Sequence, residues 1–190
     1  MIDINFDKTL AFTGHRPDKL FGYDPLEEGN MRLFLKLKSL VEQLINRRGI
    51  DTFVSGMTLG SDMWSAQVVL SLKKKYPHIK LICAVPCMNQ NEKWKREDKD
   101  TYHNILKDAD MTCYISKENH TPWCMQKRNE WMVDNSKFLI AIWDGVEAGG
   151  TWNTVKYAKK RQRSVVRLDP KSLNVTLQCK KRWRCIESNK

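Results

Sequence analysis

The sequence predicts an α/β fold, an open and mostly parallel sheet with helices on both faces, in a single domain followed by a basic C-terminal tail. Three observations predict it. Strand-like and helix-like stretches alternate about six times along the 190 residues, no hairpin signal or internal repeat interrupts them, and Lys137-Phe-Leu-Ile-Ala-Ile-Trp143 carries an unbroken apolar run. Alternation of this kind implies parallel strands joined by crossover helices. An uninterrupted apolar strand is one buried on both faces.

The elements follow in order. Thr9-Leu-Ala-Phe-Thr13 reads as a strand that runs into Gly14-His-Arg-Pro17, where proline forbids continuation. Residues 18–28 read as an irregular loop. From Asn30 the apolar positions Phe34, Leu37, Val41, Leu44 and Ile45 keep helical spacing, and Arg47-Arg48-Gly49 supplies the cations and glycine of a helix end. Asp51-Thr-Phe-Val54 is a second strand, opening into the loop Ser55-Gly-Met-Thr-Leu-Gly-Ser-Asp62. A helix runs from Met63 to Lys73-Lys-Lys75, closed by Pro77, and Lys80 to Val85 is a third strand ended by Pro86.

Glu92 to Lys107 is expected to be a helix with a charged, solvated face. Met111 to Ile115 is a fourth strand. Thr121-Pro122 has the look of a cap and first helical position, starting a helix through Met125, Arg128, Asn129, Trp131 and Met132. The apolar strand 137–143 follows, then Asp144-Gly-Val-Glu-Ala-Gly-Gly-Thr151, a helix to Arg163 and a last strand, Ser164 to Leu168. After Pro170 the periodicity fades. The domain is therefore drawn at 1–170 and a basic extension at 171–190.

Composition narrows the class. Hydrophobic content of 41% and charged content of 29% suit a soluble domain, and no run reaches the length of a membrane span. With no signal-peptide layout at the N-terminus, a cytoplasmic location is the expectation. Six cysteines without a Cys-x-x-Cys pair and four scattered histidines predict reduced structural thiols and no metal site. From Lys156 onward there are 12 Lys and Arg against Asp169 and Glu187, which is +10 of the formal +11. Any nucleic-acid argument therefore belongs to the C-terminal fifth. There Lys180, Lys181, Arg182 and Arg184 surround Trp183, an aromatic that could stack on a base or simply end a solvated tail. The seven tryptophans make a homodimer a further expectation.

Open sheets bind ligands beyond the carboxyl ends of their strands, and three loops are expected on that edge. They offer Thr13, Gly14, His15 and Arg16; Ser55, Gly56, Gly60, Ser61 and Asp62; and Asp144, Gly149, Gly150 and Thr151. Adjacent glycines at a strand-to-helix junction form either a phosphate cradle or an ordinary turn with a threonine cap. Arg16 is a bidentate phosphate partner or a surface charge beside a turn. His15 either faces the ligand or hydrogen-bonds within its turn. Asp62 either accepts from ribose hydroxyls or caps the following helix.

Four segments, Thr13-Gly-His-Arg-Pro17, Ser55 to Asp62, Gln126-Lys-Arg-Asn-Glu-Trp-Met-Val-Asp134 and Ile140 to Gly145 with Gly149-Gly-Thr151, together resemble the YpsA-like proteins of the SLOG superfamily. That superfamily of Rossmann-like domains also holds the LOG phosphoribohydrolases, the DprA/Smf DNA-processing proteins and molybdenum-cofactor carriers. The resemblance spans roughly residues 9–168. It implies a binding domain for a nucleotide or nucleotide-derived ligand, with Arg128 and Asn129 facing that ligand. On spacing alone these two read as solvated helix positions.

The departure from LOG enzymes is specific. Their Pro-Gly-Gly-x-Gly-Thr-x-x-Glu motif carries a glutamate used in N-glycosidic cleavage. Here Ala148 precedes the glycines, and Asn153 and Lys156 fall at the aligned threonine and glutamate. Glu118, Glu130, Asp134, Asp144 and Glu147 remain as possible substitutes, but no spacing pairs them. The primary expectation is thus a sensor, carrier or signalling protein for a phosphorylated, ribose-containing ligand, with no assigned catalytic residue or cofactor. The alternatives are a LOG-like hydrolase and a DprA-like nucleic-acid binder acting through the tail.

Overall fold

The computed structural model describes residues 4–119, 121 and 123–178. Its strands are β1 (Thr9–Gly14), β2 (Thr52–Ser55), β3 (Lys80–Val85), β4 (Met111–Tyr114), β5 (Phe138–Ile142), β6 (Ser164–Leu168) and β7 (Val175–Gln178). The helices are α1 (Glu28–Arg48), α2 (Ser61–Lys73), α3 (Arg96–Asp108), α4 (Cys124–Asp134) and α5 (Gly149–Lys160). One sheet holds all seven strands in the order β4-β3-β2-β1-β5-β6-β7. Six are parallel neighbours, and β7 alone pairs antiparallel, with β6.

The period-2 pattern of the strands divides the core. Leu10, Phe12, Phe53, Leu81, Ile140 and their neighbours pack with α1, α2 and α3 on one face. Ala11, Val54, Ile82, Leu139 and Ala141 pack with α4 and α5 on the other. Strand order runs outward from β1 to β4, then restarts from β1 through β5. This reversal opens a crevice beyond the carboxyl ends of β1 and β5, where Gly14 lies opposite Ile142. The α/β class, the parallel sheet and the two helical layers thus stand as expected.

Of the boundaries that differ, three have a clear local reason. Residues 92–95 form turns before α3, closed by bonds such as Trp94 N–H to Asn91 O at 3.0 Å, and the chain turns to seat Trp94 edge-on against Tyr102. The fourth helix starts at Cys124 with Trp123 as its N-cap, because Cys124 N–H closes a turn onto Thr121 O at 3.2 Å first; Pro122 lies outside the described residues. Finally, the sheet continues past Pro170 into β7. Val175 and Leu177 are both exposed there, so this edge strand lacks the apolar alternation that marks the others. Gly49 closes α1 with φ +62°, as its position predicts.

Among the described residues no helix is long and apolar enough to cross a membrane, and no cluster of His, Cys, Asp or Glu could hold a metal ion. Cys83, Cys87, Cys113 and Cys124 are free thiols, and burial pushes Cys83 up to about 12 and Cys87 to about 11, which leaves them poor nucleophiles. Of the tryptophans described, Trp123 alone is exposed. Residues 180–184, the proposed nucleic-acid contact, lie outside the described residues.

Candidate functional site

A cleft of 290 Å³ opens at the strand reversal. The end of β1 and the turn after it contribute Thr13, Gly14, His15, Arg16, Asp18 and Lys19, and the approach to α2 with its first turn contributes Thr58 and Asp62. Met125, Arg128 and Asn129 come from α4, and Ala148, Gly149, Gly150 and Thr151 from the start of α5. Four segments far apart in sequence meet because parallel strands deliver all their exit loops to one edge.

The turn after β1 is held on both sides. His15 N–H donates to Ile142 O at 3.0 Å, while His15 O accepts from Ser61 N–H at 3.2 Å and from Ser61 Oγ–H at 2.8 Å. The buried His15 ring places Nε2 3.1 Å from Asp144 Oδ1 and 3.4 Å from Asp144 N. In the neutral ring Nε2 accepts from Asp144 N–H, and a protonated ring would instead pair with the carboxylate. Burial raises the Asp144 carboxyl, but the Val146 N–H and His15 outweigh it and hold the group below its ordinary value. Arg167 completes this corner by donating to Trp143 O at 3.0 Å and Asp144 O at 2.6 Å. Arg16, next along the turn, is exposed and makes no ion pair among the described residues.

Under the cleft lies a buried ion pair. Arg128 is 4% exposed and Asp62 6%, with Nη1 3.3 Å from Oδ2. Arg128 Nη1 also donates to Gly56 O, and Thr58 gives Asp62 both its hydroxyl and, at 3.4 Å, its N–H. The guanidinium is nevertheless under-used: Nε has no partner, and Nη2 reaches only the Met125 sulfur at 3.9 Å. Burial pushes the Asp62 carboxyl up and Arg128 down, each against its charged form, with their mutual attraction as the second influence on both. The helix-cap reading of Asp62 is not what the fold uses. The chain enters α2 two residues earlier, through Gly60 at φ +87°, and Asp62 turns inward.

The glycines divide into two kinds. A Cβ at Gly14 would stand 2.5 Å from Ser61 Cβ, and one at Gly56 would strike the Arg128 guanidinium, so both serve close internal packing. At Gly60 a Cβ would meet His15 O at 2.9 Å. Gly149 and Gly150 have nothing within 4 Å of the same position, and they face open cleft. Ala148 gives α5 no side-chain cap, and the first N–H groups of that helix have no partner among the described residues. Unpaired N–H groups at a helix start attract negative charge.

Of the expected site residues, then, Thr13, Gly14, His15, Arg16, Asp62, Arg128, Asn129, Gly149, Gly150 and Thr151 line the cleft. Ser55, Gly56, Gly60 and Asp144 stand behind it. Ser55 Oγ–H donates to Asp62 O at 2.8 Å and accepts from Met57 N–H at 3.2 Å, which orients the loop rather than a ligand. Sequence reasoning passed over Asp18, Lys19, Thr58 and Met125 as site residues. Thr58 carried the same small-hydroxyl signal as Ser55, and Met125 sits one turn before Arg128 on the same helix face.

The model of the YpsA family, described as the YspA SLOG family, matches residues 10–173. The uncharacterized SPbeta prophage-derived protein YoqJ of Bacillus subtilis is 36% identical over 141 residues, covering 68% of this chain and 82% of that protein. A UPF0398 protein of Brevibacillus brevis is 32% identical over 160 residues, covering 81% and 82%. Among solved structures, DNA processing protein A of Helicobacter pylori, described for its single-stranded DNA binding mode, aligns with a TM-score of 0.57 at 16% identity. The Streptococcus pneumoniae protein aligns at 0.59 and 17%. Each alignment covers 86% of this chain but 66% and 53% of the DNA processing proteins, and at such identities the likeness is one of fold.

Proposed function

This chain belongs to the YspA SLOG family, and from that premise we propose that its cleft binds a phosphorylated, ribose-containing small molecule as a sensor, carrier or signalling protein. The observation that carries the reading is the under-used Arg128 guanidinium. An arginine cannot shed its proton, so its burial demands compensation. Here one carboxylate answers it, itself pushed toward protonation by burial. A phosphate would take the spare Nη2 donor, the unpaired Arg16 and the open N-terminus of α5 together. Asn129 and Thr151 would serve as neutral donors to the same ligand.

Arg16→Ala tests this with the least disturbance, since the side chain is exposed and makes no ion pair among the described residues. Wild-type protein, denatured after purification, should release a phosphorylated nucleoside derivative by mass spectrometry. Affinity for that compound should fall about 10- to 100-fold in the variant, the usual worth of a charged hydrogen bond. Equal affinity in both proteins would remove the cleft from consideration.

Binding without glycosidic cleavage is part of the proposal. Cleavage passes through a cationic sugar that a carboxylate must stabilise. Asp18 and Asp62 are the carboxylates lining the cleft, and Asp62 is already engaged by Arg128 and Thr58. Lys156 is exposed on α5, Asp134 is bound to Tyr157 and Arg161, and Glu130 accepts from Gln126. Incubation with nucleoside monophosphates and with NAD should release no base above a protein-free control by chromatography. Multiple turnovers that vanish in Asp18→Asn, a change at an exposed side chain, would establish the hydrolase instead. The nucleic-acid reading rests on two separate observations, the likeness in fold to a protein described for single-stranded DNA binding and the basic segment after Pro170, whereas the cleft observations favour a small ligand.

A further inference from the structure

We propose that a second cleft, adjoining the first, receives the aromatic base of the same ligand, so that the protein holds a nucleoside 5′-phosphate by both ends; this rests on the phosphate reading of the first cleft. The second cleft measures 450 Å³ and shares Arg16, Thr58 and Met125 with the first. The two are therefore one continuous depression with Arg16 at the junction, and the second part has the volume of a small-molecule site.

Its chemistry changes across that junction. The first cleft is built mostly from glycines, hydroxyls and charged side chains of both signs, without an aromatic ring other than His15. The second adds the rings of Tyr23 and Trp94, the side chain of Leu59 and the amides of Asn89 and Gln90. Flat apolar rings beside directional amides complement a heteroaromatic base, whose faces stack and whose edge hydrogen-bonds. Trp94 is half-buried and held edge-on by Tyr102, with centroids 5.4 Å apart and planes at 85°, so its orientation is set before any ligand arrives.

Gln90 supplies the independent observation. It is 9% exposed, its Nε2 donates to Met57 O, and its Oε1 has no partner. Turning the amide over would set two oxygens against each other, so Oε1 stays the unpaired atom; it lies just beneath the wall that Gln90 lines, where a small side-chain rotation would present it to a ligand. Leaving such an acceptor buried and unmatched is costly. An exocyclic amino group is its complement, which adenine, guanine and cytosine carry and uracil lacks.

The test is calorimetric titration of the full chain with ribose 5-phosphate and with adenosine, guanosine, cytidine and uridine 5′-monophosphates. At least one amino-bearing nucleotide should bind about 5- to 150-fold more tightly than ribose 5-phosphate, the range that stacking on an aromatic provides. Trp94→Ala should bring that nucleotide within about twofold of ribose 5-phosphate while leaving ribose 5-phosphate itself unchanged. Tyr23→Ala, a change at a residue 61% exposed, should narrow the same ratio without touching the core, so the result does not hang on Trp94→Ala folding. Ribose 5-phosphate binding with no added gain from any base, or a gain that persists in both variants, would overturn the second cleft and leave the first standing. Failure of the wild-type chain to bind any of the five probes would overturn both.

Discussion

Asp62→Ala is expected to destabilise the domain by about 3–5 kcal/mol, the usual consequence of removing one partner from a buried ion pair. Arg128 would be left 4% exposed with no carboxylate, and it has no neutral form to retreat to. Urea unfolding measures the loss. The double change Asp62→Ala with Arg128→Met should recover most of it, since both charges then leave together and the methionine fills part of the arginine stem's space. A single variant within about 1 kcal/mol of wild type would mean that Arg128 is not held by Asp62. The pH dependence has a definite sign as well. Burial raises the folded Asp62 carboxyl above its ordinary 3.8, so the folded state binds this proton more tightly than the unfolded chain. The group's contribution to stability is complete below pH 3.8 and declines as pH rises through the folded value. Asp169, held low by backbone N–H groups and Arg167 despite its burial, runs the opposite way.

Gly150→Val is expected to abolish ligand binding while the domain stays folded. The added side chain has nothing within 4 Å to strike and would stand in the cleft, over the N–H groups that a phosphate needs. At a hundredfold excess over Kd, a bound ligand stabilises wild-type protein by about 2.7 kcal/mol. The variant should show none of this in thermal unfolding, with its ligand-free midpoint close to that of wild type. Gly149→Val is the contrast. Gly149 has φ +80°, where a β-branched residue is strained by about 1–3 kcal/mol, so that variant should lose stability even without ligand. Full ligand stabilisation of Gly150→Val would remove the α5 N-terminus from the site.

Both predictions draw on residues that the sequence marked unequally. Gly149 and Gly150 were legible because a strand-to-helix junction with two glycines has a local meaning. Arg128 was legible through family resemblance alone; on spacing it reads as one more charged helix position. Its burial follows from a carbonyl, Gly56 O, and a carboxylate, Asp62, that another segment brings beneath it. His15 shows the same limit. It lines the cleft, and its hydrogen-bond partner is not in its own turn but Asp144, 129 residues away.

Strand and helix order, the two-faced burial of the sheet and the gathering of exit loops on one edge follow from the chain itself, because periods of 2 and 3.6 and the capping residues act within a few neighbours. The division of labour among glycines and the existence of the second cleft do not. Gly14, Gly56 and Gly150 carry the same local signal, yet Gly14 admits α2, Gly56 admits Arg128, and Gly150 faces open space. Trp94 and Gln90 become neighbours of Arg16 only when β3's exit loop meets that of β1. Such roles depend on which atoms arrive from distant segments, 72 residues apart for Arg128 and Gly56, and no local pattern encodes that arrival.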